Sequence, residues 1–211
     1  AEVGALVAKP GRGAEGQDVF VDIRSESQLS MALRQFESVD RVILEEMHVG
    51  LEVRVLTIGF KAVAAILRTP PAVVGDGTHT VEELLNAQNR ELRTMVGPDA
   101  GITIDQAVER ALDSQGVGLA SVPGVGSEVV VRRPTSLSAD RRAGGRVDDV
   151  TGDLHHSIRE AAEAASRSLE MPVLGLDMIL KQVSEPSHVI IDANERPGLS
   201  NYAHQPVVDH F

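Results

Sequence analysis

The chain has 211 residues, with 20 Lys+Arg against 31 Asp+Glu and a formal net charge of -11. That length fits one ample domain or two small ones around a real core, and 42% hydrophobic residues exclude disorder as the main description. Cysteine is absent, so disulfides, thiolate metal sites and cysteine nucleophiles drop out. An acidic balance with 2% aromatic residues and no Trp argues against nucleic acid as a partner, because such binders use Lys, Arg and stacking rings. No apolar run approaches the roughly 20 residues of a membrane-spanning helix, and the opening AEVGALVAKP lacks the length and basic end of a signal peptide. A soluble, cytoplasmic protein is expected. The only lysines are Lys9, Lys61 and Lys181, so nearly all positive charge is Arg.

In chain order, residues 5–9 read as a strand, Gly11 to Gly16 as a glycine loop, and 19–23 as a second strand. Ser25 with Gln28 predicts a capped helix whose buried side is Leu29, Leu33 and Phe36. A strand follows at 41–46. The β-rich runs 52–59 and 62–68 flank Gly59-Phe60-Lys61, a hairpin turn. Gly75-Asp76-Gly77 is a turn, and Thr80 to Glu83 is a capping box that opens a polar helix through about Arg93. Ile104, Val108 and Leu112 predict a helix over 104–114, and Glu128 to Arg133 a strand. Residues 134–153 read as a polar loop. Ser157 and Glu160 predict a capped helix over 158–169, and strands follow at 173–180 and 188–193. Strands interleaved with a few helices and several hairpins argue for an α+β fold with antiparallel sheets.

Gly11, Gly13 and Gly16 spell G-x-G-x-x-G. A dinucleotide fold needs a helix after that loop, whereas here a β-branched run follows. A glycine loop between antiparallel strands can instead lie over phosphates and offer backbone N–H donors. Lys9, two residues earlier, then supplies a point charge for a phosphate oxygen. An ordinary hairpin with a surface lysine is the alternative.

The second constellation is Asp177 with Asp192 and Asn194. Asp192 and Asn194 lie two apart on a strand and share a face. A symmetric hairpin turning at 184–187 predicts Asp177 opposite Asn194, with Asp192 on the diagonal opposite Ile179. Two carboxylates and a carboxamide suit a hard cation such as Mg²⁺ and not zinc. The alternative is a polar sheet face with a turn-forming Asn, against which stands the cost of setting carboxylates in Val/Ile/Leu strands.

Together these residues resemble the ATP-grasp carboxylate–amine ligases. Asp192-Ala193-Asn194-Glu195-Arg196-Pro197-Gly198 is similar to the family's E-x-N-x-x-P-G, with Asp in place of Glu, and Leu44 to Gly50 resembles its V-E-x-x-x-x-G hinge. Residues 64–81, through Gly75-Asp76-Gly77-Thr78-His79-Thr80-Val81, resemble the branch containing cyanophycin synthetase. Asn194 to Asn201 with Gln205-Pro206 is most similar to N-acetylglutaminylglutamine synthetase.

The resemblance implies an ATP-grasp fold, two α+β subdomains with antiparallel sheets clasping a nucleotide. Residues 1–48 would be the partial N-terminal subdomain (flap and hinge strand) and 49–211 the C-terminal one. It further implies ATP with Mg²⁺, or Mn²⁺, as cofactors. The cation falls to Asp177, Asp192 and Asn194. The nucleotide falls to Lys9, Gly11, Gly13 and Gly16, to Glu45 facing adenine beside backbone groups of Glu46 and His48, and to Glu52 on the ribose. Arg68, Arg132 and Arg133 end strands that face the cleft, where a guanidinium suits phosphate or carboxylate; surface cations are the alternative. The implied substrates are small amino acids or dipeptides, with a preceding domain upstream and a homo-oligomer as compatible partners. Ser136, where relatives carry Asn, and the interruption at 139–142 before Gly144-Gly145 are departures that keep open a nucleotide-binding module without ligase turnover.

Overall fold

The computed structural model describes residues 4–11, 19–36, 40–132 and 143–198. β1 (Leu6–Pro10), β2 (Phe20–Ile23) and β3 (Val42–Glu46) form an antiparallel sheet in the order β2-β1-β3. The glycine loop therefore joins two paired antiparallel strands, which removes the dinucleotide-fold arrangement. α1 (Glu26–Arg34) starts at Ser25, whose side chain accepts the Gln28 N–H while the Gln28 side chain returns to the cap backbone. Ala8, Ile23, Ala32 and Phe36 bury between sheet and helix. Leu33, expected on the buried side, is 41% exposed, and Ala32 takes its place. The smaller side chain lets the helix lie close on a three-stranded sheet.

β4 (Leu51–Ile58) and β5 (Lys61–Thr69) form the expected hairpin, with positive φ at both turn residues, 57° at Gly59 and 65° at Phe60. Such mirror-image turns match the twist of the flanking strands. β6 (Ala72–Val74) pairs with β7 (Glu128–Val130) in a separate ribbon. α2 (Val81–Met95) begins at the Thr80–Glu83 capping box. These elements and α3 (Gln106–Asp113) enclose their own core, including Val73, Val81, Leu85, Val108, Leu112 and Val129.

Four boundaries differ from expectation. Asp105 caps α3, so Ile104 lies just outside the helix. β7 stops at Val130, short of Arg133. The stretch expected to be loop contains β8 (Arg146–Asp149), an edge strand on β5; Arg-Val-Asp-Asp has one apolar residue, so its pairing comes from the neighbour and not from its own pattern. α4 (His156–Ser168) is capped by the His155 ring, which accepts the Ser157 N–H, and not by Ser157 with Glu160.

β9 (Leu174–Leu180) and β10 (His188–Asn194) complete a five-stranded antiparallel sheet in the order β10-β9-β4-β5-β8. One face is apolar: Val53, Val55, Leu174, Leu176, Met178 and Leu180 pack against Ile158 and Ala162 of α4. At roughly 1.5–3 kcal/mol per large side chain buried, this face anchors the sheet and leaves the other free to be polar. The strand period of two puts Glu52 and Arg54 of β4, Arg68 of β5 and Asp177 of β9 on that other face.

Candidate active site

β9 and β10 meet in a register that differs from the symmetric hairpin expected. Leu180 pairs with His188, so the connecting loop is 181–187, and a bulge between Ile190 and Asp192 shifts the ladder. Asp177 therefore faces Asp192 and not Asn194, while Asn194 faces Gly175. The three side chains still converge. Asn194 Nδ2 lies 3.2 Å from Asp192 Oδ2 and 3.4 Å from Asp177 Oδ2. Gly175 makes room for this end of β10: a Cβ there would come within 2.9 Å of Pro197 Cβ.

Two carboxylates placed directly opposite repel unless compensated. Arg54, beside Asp177 on β4, supplies the compensation. Its Nε donates to Asp177 Oδ1 at 2.5 Å and its Nη2 to Oδ2 at 2.6 Å, a forked pair that fixes both oxygens. Arg68 donates to Glu52 at 2.5 Å and lies 4.0 Å from Asp177 Oδ2. The face thus carries three carboxylates (Glu52, Asp177, Asp192) and two guanidiniums. Arg68 and Asp177 are buried. Arg54 escaped the sequence reading, although its place two residues after Glu52 on a strand put both on one face.

The small sheet contributes a further cation to this region. Lys9 Nζ pairs with Glu45 at 2.7 Å and donates to the Ile191 carbonyl at 3.0 Å. Ile191 sits at the β10 bulge, where the register with β9 shifts, and its carbonyl is the one that Lys9 reaches. Glu46 ends β3, His48 is exposed, and Gly50 lies so close to the Leu180 carbonyl that no Cβ fits. Gly11 donates to the Arg41 carbonyl at 2.7 Å, extending the pairing of β1 with β3. Gly13, Gly16, Arg133, Ser136, Leu199 to Asn201 and Gln205-Pro206 lie outside the described residues.

Arg132 is held elsewhere, donating to Asp105 at 2.6 Å and to the Thr103 carbonyl at 3.3 Å. Burial opposes ionisation of Asp105, but the Arg132 hydrogen bond and charge, with the Val108 and Ala107 N–H groups, hold it below the usual carboxylate range. His79 Nδ1 meets Asp76 Oδ2 at 2.5 Å within the turn before α2, a tie that supports turn structure.

The donor set at Asp177, Asp192 and Asn194 is oxygen-only and partly open, which fits a hard divalent cation keeping waters and phosphate oxygens as further ligands. Among the described residues no three His, Asp or Glu side chains form a metal cage; the third donor here is a carboxamide. The same residues can receive a polyanion, because Lys9, Arg54 and Arg68 border the cation position.

No protein-family model matches the chain. It is 33% identical over 203 residues to cyanophycin synthetase from Crocosphaera subtropica, covering 92% of this chain and 23% of that protein. It is 29% identical over 171 residues to a glutathione biosynthesis bifunctional protein from Clostridium perfringens, covering 78% of this chain and 22% of the relative. The chain therefore spans less than a quarter of these relatives. Among solved structures, a bifunctional glutathione synthetase from Pasteurella multocida aligns with a TM-score of 0.51 and 26% identity, over 94% of this chain and 28% of that one. D-alanine–D-alanine ligase from Bacillus anthracis aligns with a TM-score of 0.52 and 17% identity, over 98% of this chain and 48% of that one, a likeness of fold. Among the described residues no helix is long and apolar enough to cross a membrane. The α+β fold matches that of the ATP-grasp ligases, and the sequence is similar to ligases of that family.

Proposed function

We propose that this chain is the nucleotide-binding portion of an ATP-dependent carboxylate–amine ligase that forms an amide bond through an acyl-phosphate. The observation that carries the reading is the convergence of Asp177, Asp192 and Asn194, two guanidiniums and Lys9 on one cleft. A substrate carboxylate oxygen attacks the γ-phosphorus, and the bond to the ADP oxygen breaks with its electrons leaving on ADP. An amine nitrogen then attacks the acyl carbon, the carbon–oxygen bond to phosphate breaks, and the nitrogen loses a proton. No side-chain nucleophile is required. When bound at Asp177, Asp192 and Asn194, Mg²⁺ or Mn²⁺ supplies charge neutralisation between the β- and γ-phosphates. Lys9 and the N–H groups of the loop over Gly11, Gly13 and Gly16 hold phosphate oxygens. Arg68 orients the transferring group, whereas Arg132, paired with Asp105, is not part of that set. Glu45, Glu46 and His48 border adenine, and Glu52 accepts from the ribose hydroxyls.

The motif Asn194 to Asn201, similar to N-acetylglutaminylglutamine synthetase, favours an N-acylated amino acid or small peptide as the carboxylate substrate, and a cytoplasmic setting suits such metabolites. Residues 1–48 and 49–211 are read as the two ATP-grasp subdomains. The test is calorimetric titration of Mg·ATP into the intact protein, followed by phosphate release with a panel of N-acylated amino acids and amines. Absence of Mg·ATP binding overturns the reading. Ser136, where relatives carry Asn, and the interruption at 139–142 favour a second reading, a nucleotide-binding module without turnover. Nucleotide binding without acceptor-dependent phosphate release selects it.

A further inference from the structure

Asp177 is both the most buried oxygen donor of the proposed cation site and the best-satisfied side chain in it. Both of its oxygens are taken by Arg54, at 2.5 and 2.6 Å, and Oδ2 also accepts from Asn194 Nδ2 at 3.4 Å. Asn194 turns its amide nitrogen, not its oxygen, toward both carboxylates, the orientation that acid groups select when donors neutralise them. Three of the roughly four acceptor sites of Asp177 are thus filled without metal. A cation held by both Asp177 oxygens, or by Asp177 together with the Asn194 oxygen, must replace some of these contacts.

We propose that Arg54 is the resident counter-ion of the cation site, exchanging Asp177 for an incoming anionic oxygen when the cation binds. The inference rests on the assignment of Asp177, Asp192 and Asn194 as cation ligands. The charge balance favours an exchange over simple addition. Glu52, Asp177 and Asp192 face Arg54 and Arg68, leaving one net negative charge; a divalent cation added with everything else in place leaves one net positive charge in a partly buried cleft. An anionic phosphate or carboxylate oxygen restores the balance, and the planar fork of Arg54 is matched to such an oxygen pair. Its side chain is 14% exposed, and its stem runs beside Gly175, 3.7 Å from where a Cβ would stand. Glycine at 175 leaves that stem room to move. Arg54 is then a positioning residue. It holds Asp177 in place and keeps a lone cation from being bound tightly before the nucleotide arrives, because apparent affinity falls with the fraction of protein in which the ligand oxygen is free.

The test is nucleotide-free Mn²⁺ binding to the intact protein, read by the electron paramagnetic resonance signal of free Mn²⁺, for wild type, Arg54→Gln, Arg54→Lys and Asp177→Asn. Removing the competitor is expected to tighten Mn²⁺ binding at least about threefold in Arg54→Gln, with Arg54→Lys, which keeps the charge but not the fork, in between. A merely structural arginine gives the opposite sign, since a disordered site binds more weakly. Unchanged or weaker binding in Arg54→Gln, alongside normal wild-type binding that Asp177→Asn removes, overturns the exchange while leaving the cation site standing. Equal binding by wild type and Asp177→Asn overturns the ligand assignment itself. If Arg54→Gln does not fold, the same comparison is decided on Arg54→Lys.

Discussion

Asp192 stands directly across the β9–β10 ladder from Asp177, and Asn194 reaches both carboxylates through its amide nitrogen. Like charges in that relation weaken a sheet, so the pairing is tolerated because Arg54 and Arg68 flank it. Asp192 is exposed and Asp177 buried. Asp192→Asn should therefore keep the fold, within about 0.5 kcal/mol in denaturant unfolding. It should weaken Mn²⁺ binding by at least about tenfold, the scale on which even outer-shell partners of a metal act. Retained affinity in a folded variant removes Asp192 from the ligand set.

Lys9 pairs with Glu45 inside the small sheet and ties that sheet to the large one through the Ile191 carbonyl. The pair is partly exposed, so it adds little to stability, whereas a phosphate-facing ammonium has no substitute among the described residues of the small sheet. Lys9→Met should change unfolding free energy by at most about 1 kcal/mol and weaken ATP binding by at least about tenfold, or 1.4 kcal/mol. Calorimetry on the folded variant reads both. An unchanged affinity assigns Lys9 to sheet docking alone.

Gly50 separates β3 from β4, and a Cβ there collides with the Leu180 carbonyl and comes within 2.9 Å of Ile179 Cγ2. Backbone and a packed side chain cannot both yield cheaply, so Gly50→Ala should cost about 1–3 kcal/mol, as overpacking does. Gly118→Ala, where nothing lies within 4 Å, serves as the control and should leave stability near wild type. Urea unfolding of the two variants gives the comparison.

The Asp76–His79 tie predicts opposite titration shifts. The N–H of His79, its ring and the Thr78 N–H together hold Asp76 well below the usual carboxylate range. The hydrogen bond and charge of Asp76 raise His79 above its ordinary 6.5. For His79 the folded value exceeds the unfolded one, so its contribution is complete below about 6.5 and fades as pH rises through the raised value. For Asp76 the folded value is depressed, so its contribution is present above the ordinary 3.8 and fades as pH falls. Two-dimensional NMR of the imidazole should place the His79 midpoint above 6.5, and Asp76→Asn should bring it back. A His79 midpoint at or below 6.5 in the unmodified protein removes the tie.

Much of the architecture was readable from local chemistry. Ser25 with Gln28 and Thr80 with Glu83 mark helix starts because capping is settled within four residues, and Gly59 marks a hairpin turn because glycine accepts positive φ freely. β8 was not readable, since an edge strand such as Arg146 to Asp149 takes its conformation from β5 beside it. The His155 cap was missed for a related reason: an imidazole can replace the expected Ser157 only when the chain approaches α4 at one angle.

The candidate site divides along the same line. The residue types at 177, 192 and 194, and their spacing along two strands, already pointed to the oxygen-only, hard-cation chemistry proposed for the site, because that reading depends on side-chain identity and the period of a strand. The register between those strands, the contact of Lys9 with the Ile191 carbonyl at the bulge, and the fork of Arg54 on Asp177 are properties of tertiary structure. A register depends on how the 181–187 loop closes and on which faces find a core, and an ion pair between residues 123 apart in sequence depends on β4 lying beside β9. Local sequence determines which groups are available; the free energy of packing the whole sheet on α4 determines which of them meet.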